Sequence, residues 1–113
     1  MYILVAINNP IVHINLIMKH KYNLETKVSE LPLSKFRKIS LINAMCLECD
    51  KSYNTLNISD LTRFSVIDGE LLHDKGYLTK VDNIGKVRAL EIAPYITLSR
   101  VLKKRREYET KRL

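Results

Sequence analysis

The residues in this chain whose types can do chemistry are few. Cys46 and Cys49 form a CxxC pair, His73 precedes Asp74, His13 and His20 are scattered, and Lys103-Lys104-Arg105-Arg106 is followed by Lys111-Arg112. A CxxC pair can supply half of a zinc site or cycle as a dithiol, because thiolates at that spacing reach one metal. No second ligand pair accompanies it, and both cysteines fall on the apolar stripe of a helical pattern, so they read as core thiols. His73-Asp74 and His13 have no nucleophile beside them in sequence, and neither Ser34 nor Ser65 sits in a nucleophile elbow. No phosphate-binding glycine loop, dinucleotide fingerprint or HExxH stretch occurs. The expectation is a binding protein rather than an enzyme, with no metal and no other cofactor.

What remains is charge. The 113 residues carry 19 Lys and Arg against 12 Asp and Glu, a net +7, and residues 94–113 contribute most of the excess. Such an imbalance attracts polyanions, whether nucleic acid, an anionic membrane surface or an acidic protein. No stretch approaches the roughly 20 apolar residues of a membrane span. The opening run Tyr2–Ile7 lacks a basic leader and is cut short by Asn8-Asn9-Pro10, so no secretory signal is read there. A cytoplasmic, reducing setting without membrane attachment follows as the expectation. The 46% hydrophobic fraction is enough for a core in one domain. Abundant Ile, Lys and Asn with no Gln or Trp fits an AT-rich genome and a viral or archaeal-type small protein.

The elements that must position these residues are read from periodicity and caps. Tyr2–Ile7 and Ile11–Met18, with Val12, Ile14, Leu16 and Met18 on one face, predict a β-hairpin over residues 1–18. Ser34 caps a predicted helix whose apolar positions are Phe36, Ile39, Ile42, Met45, Cys46 and Cys49. Two Asx/Ser-x-x-Asp signatures, Asn57–Asp60 and Ser65–Asp68, predict two short helices, the second running to Lys75 and closed by Gly76. A single helix over 58–75 is the alternative. Tyr77–Val81 and Lys86–Ile92 predict a second hairpin around Asp82-Asn83-Ile84-Gly85, and Tyr95–Tyr108 a closing helix after Pro94. The class is α+β in a single domain, residues 1–113.

Three stretches carry a resemblance: Ile58-Ser59-Asp60-Leu61, then Glu70-Leu71-Leu72-His73-Asp74-Lys75-Gly76-Tyr77-Leu78, then Lys86-Val87-Arg88-Ala89-Leu90-Glu91-Ile92. Together they resemble the winged helix-turn-helix superfamily over about residues 34–108. The resemblance implies a winged-helix core over 34–92, preceded by the hairpin and followed by a basic C-terminal helix and tail over 95–113. It makes residues 66–75 the recognition helix and 77–92 the wing, and implies a small DNA-binding transcriptional regulator.

A groove-reading helix displays Arg, Lys, Asn or Gln, whereas residues 66–75 display Asp68, Glu70, His73 and Asp74. Affinity is therefore assigned to phosphate contacts. The candidates are Lys35, Arg37 and Lys38 on the long helix; Lys80, Lys86 and Arg88 on the wing; and Arg100, Lys103, Lys104, Arg105 and Arg106 on the last helix. Double-stranded DNA is the expected partner, and a homodimer is expected through the last helix or the N-terminal hairpin. The competing reading is a protein-interaction or viral accessory module on the same scaffold, and a third is an RNA-binding protein.

Overall fold

The computed structural model describes residues 22–112, with side chains to residue 110. The hairpin expected over 1–18 lies outside them. The described chain opens with a side-chain turn in which Asn23 Oδ1 accepts from the Glu25 N–H at 2.9 Å. Residues 24–28 then lie along 56–59: the Val28 N–H donates to Leu56 O and the Ile58 N–H to Thr26 O, both at 2.9 Å. A short 3-10 helix, Val28–Glu30, leads to Leu31 in extended backbone, as Pro32 demands of its predecessor.

Helix α1 spans Lys35–Cys49, entered from Ser34 as the sequence suggests. Ser34 makes no side-chain cap; its backbone N–H donates instead to the Glu91 carboxylate. A carboxylate at that end opposes the positive pole of the helix. The buried face is Leu41, Ile42, Met45 and Cys46. At about 100° per residue, Ile39 and Phe36 lie about 60° and 120° from Ile42. They leave the core, contrary to the expected stripe. The helix stops where Asp50 turns left-handed (φ 53°) and its N–H bonds Cys46 O.

After a 3-10 turn at Tyr53–Thr55 comes the 3-10 helix Ile58–Arg63, opened by the expected capping box. Asn57 Oδ1 accepts from the Asp60 N–H, and Asp60 Oδ2 accepts from the Asn57 N–H at 2.9 Å. Ile58 and Leu61 fill the core.

The second short helix is not formed. Residues 66–75 belong to an antiparallel hairpin, β1 Phe64–Ile67 and β2 Glu70–Asp74, paired Phe64 to His73 through Ile67 to Glu70. Asp68 and Gly69 both take positive φ, 52° and 78°, the two-residue turn that matches strand twist. Phe64, Leu71 and His73 alternate inward from the pleat. Asp68 is thus a turn residue, not the acid of a helical first turn. Gly76 (φ 94°) turns the chain into β3, Leu78–Lys80, its N–H bound to Asp74 Oδ1 at 2.9 Å. The sheet is three-stranded, antiparallel and ordered β1-β2-β3.

The second hairpin is therefore centred on 75–77 rather than 82–85, and 86–92 is not its return strand. Those residues begin helix α2, Lys86–Arg112, which continues through Pro94. Ala89, Ile92 and Ile96 are buried at helical spacing, which outweighs the strand-like look of Lys86–Ile92. Positive φ in the preceding connection falls on Asn83 (64°), not on Gly85. Pro94 withholds one N–H from the helical ladder without ending it. Helix α2 lies across the 58–63 helix and β1, with Phe64, Leu61, Ile42, Ile92 and Leu98 fully buried between the layers. The fold is α+β. Among the described residues no helix is long and apolar enough to cross a membrane.

Candidate nucleic-acid interface

The fold sorts the eleven candidate cations by what they touch. On α1, Lys35 and Arg37 are exposed and Lys38 is half-buried; none of the three side chains has a polar partner among the described residues. Arg88, in the first turn of α2, donates from Nη1 to Ser40 Oγ at 2.7 Å. That bond brings the start of α2 against the middle of α1. Lys86 lays its stem over the β1–β2 turn, its Cγ 2.9 Å from where a Cβ on Gly69 would stand. Lys80 on β3 pairs loosely with Glu70 on β2 at 3.6 Å. Lys80 and Lys86 thus lie by the β1–β2 turn and Arg88 by α1.

The remaining cations lie farther along α2. Arg100, though exposed, reaches back to β1, its Nη2 bonding Phe64 O and, at 2.9 Å, Ser65 Oγ, so it fastens α2 to β1. Arg106 is tied to Glu25 Oε1 at 2.7 Å, and the guanidinium holds that carboxyl below its usual range. Lys103, Lys104 and Arg105 have no polar partner among the described residues, and every residue from Lys103 to Thr110 is exposed. At 1.5 Å per residue, Arg106 lies about 27 Å along the axis from Arg88. This distal segment is exposed and is tied back at Arg106.

Residues 66–75, which the resemblance makes a recognition helix, are poorly placed to read bases. His73 is 4% exposed, stacked at 4.8 Å on the Phe64 ring, with Nδ1 3.4 Å from Glu48 Oε2. Lys75 Nζ sits 2.9 Å from the same carboxylate oxygen, which raises the Lys75 pKa. This Glu48–His73–Lys75 cluster joins α1 to β2 and has no signature in the sequence beyond the alternation of β2. Cys46 is buried and Cys49 half-buried against the core. Burial pushes both thiols up, away from the thiolate form. Among the described residues no group of three or more His, Cys, Asp or Glu is placed to hold a metal ion.

Fold and site together define a small α+β domain bearing an exposed, basic helical end. Comparison with protein-family models, curated proteins and solved structures finds no match.

Proposed function

We propose that the protein binds duplex DNA through phosphate contacts, as a small regulator, with the distal part of α2 as its main grip. The observation that carries this reading is the exposed segment 103–110, in which Lys103, Lys104 and Arg105 have no polar partner among the described residues. Lysine and arginine held on a helix and free of carboxylate partners can displace counterions from a phosphate backbone. We read the architecture as winged-helix-like, with α1, the 58–63 helix and the three-stranded sheet as its parts. In this reading hairpin β1–β2 stands where the superfamily places a recognition helix, so binding is expected to be weakly dependent on sequence.

The test is anisotropy titration of a labelled duplex across a salt series. Replacing Lys103, Lys104 and Arg105 together by alanine should reduce the slope of log K against log[salt] by about 2.7, at 0.9 per phosphate lost. Arg100→Ala should leave that slope unchanged, because its guanidinium is engaged with β1. No binding at about 50 mM salt, or an unaltered slope in the triple variant, would overturn the reading.

A second reading, a protein-interaction module, is favoured by the outward side chains of Phe36 and Leu47 on α1, 98% and 84% exposed. Large apolar groups in that state mark association surfaces when they lie together.

A further inference from the structure

Helix α1 carries two apolar faces. The inward one is in the core. On the outward one, Phe36, Ile39, Asn43 and Leu47 recur at spacings of three, four and four residues, within an arc of about 80°. Phe36, Ile39 and Leu47 are exposed, and Asn43 between them is exposed and polar. This 3-4 recurrence is the pattern of a helix-pairing seam with one polar position at its centre.

The ends of the seam differ in charge. Lys35 stands at its start and Asp50 at its close; both are exposed, and neither has an ion-pair partner among the described residues. A face with a cation at one end and a carboxylate at the other complements a copy of itself laid antiparallel. About a two-fold axis near Ile42, Phe36 meets Leu47 of the second copy, Ile39 meets Asn43, and Lys35 meets Asp50, at both ends at once. Helix dipoles oppose in the same arrangement. Isologous pairing of this kind closes at two copies.

We propose that the outward face of α1 is a homodimer seam, the two α1 helices packing antiparallel through Phe36, Ile39 and Leu47. This goes beyond DNA binding and does not depend on it. The seam spans about three turns, less than a standard interface, so the dimer is expected to be weak and reversible.

Sedimentation of the full chain without DNA, from about 1 μM to about 1 mM, should show a monomer–dimer equilibrium. Phe36→Glu and Leu47→Glu should each weaken dimerisation by more than about 30-fold, since each buries an unpaired charge at the seam. Both side chains lie outside the core, so circular dichroism should show an unchanged fold. Lys35→Glu should weaken the dimer less, and Lys35→Glu with Asp50→Lys should restore it.

In a Cys49→Ser background, Asn43→Cys should crosslink two copies on oxidation and Phe36→Cys should not, because only a residue near an antiparallel axis meets itself. A monomer at every concentration would assign the face to a partner of another sequence and overturn the proposal. A dimer indifferent to both Glu substitutions, or crosslinked through residue 36 but not 43, would do so equally.

Discussion

Replacing Gly69 with alanine separates the hairpin at 64–74 from the helix that the same residues resemble, because the two structures give opposite signs. In a helix interior the change would stabilise the fold by about 1 kcal/mol, the propensity gap between glycine and alanine. In the hairpin Gly69 holds φ 78°, where an L side chain costs roughly 1–2 kcal/mol. Its new Cβ would also stand 2.9 Å from Lys86 Cγ, so the lysine stem must move aside.

The expected result is destabilisation by at least about 1–2 kcal/mol. At this chain length that is a fall in Tm of about 3–12 °C, taking roughly 3–6 °C per kcal/mol. Urea and thermal melts followed by circular dichroism measure it directly. Adding Lys86→Ala isolates the backbone part: the double variant should remain less stable than Lys86→Ala alone, since the left-handed backbone is unaffected. A neutral or stabilising Gly69→Ala would refute the hairpin and revive the helix.

Other expectations follow from single contacts. Asn57→Ala removes the acceptor of the capping box and should cost about 1 kcal/mol in urea unfolding. Arg100→Ala breaks the link from α2 to Phe64 O and Ser65 Oγ and should cost about 1–2 kcal/mol, without changing salt-dependent DNA binding. Tyr95, with its phenol pushed up to about 12 by burial, should contribute an ionisation step well above about pH 10 in an ultraviolet titration, absent in Tyr95→Phe. Because the folded pKa is the higher one, Tyr95 contributes stability below about pH 10 that is lost as pH rises toward 12, and Tyr95→Phe should flatten that loss.

The parts of the fold that were legible in the sequence are those decided by neighbours a few residues apart. Ser34 marks the start of α1, Asn57–Asp60 forms its box, and Leu78–Lys80 is a strand where Tyr77–Val81 looked like one. Ser65–Asp68 has the same spacing as a capping box yet forms a strand and a turn. The deciding local signal was Asp68-Gly69, the dipeptide of a two-residue hairpin loop. Pairing of Phe64 with His73 then completes a choice that local propensity leaves open.

At the other misread stretch, Lys86–Ile92 looks like a strand, and burial of Ala89 with Ile92 and Ile96 makes it helical. Outward Phe36 and Ile39 read as core in the sequence because a second apolar stripe shares their helix. The cations were legible as an inventory but not as a site. Arg88, Arg100 and Arg106 find their partners 48, 35–36 and 81 residues away, and no local pattern foretells which ones are spent that way.

Helix α2 is one rod with two surroundings: its first half is walled in by the core, and its residues from Lys103 to Thr110 are exposed. Starting a helix is the costly step and lengthening it is cheap, so the packed half acts as a seed for the bare half. Amide hydrogen exchange should therefore fall into a gradient along a single element, slow around Ile92 to Leu98 and progressively faster beyond Lys103. A polyanion laid against Lys103–Arg105 would steepen protection only in that outer stretch. The same helix thus offers its own internal standard for detecting occupancy, residue by residue.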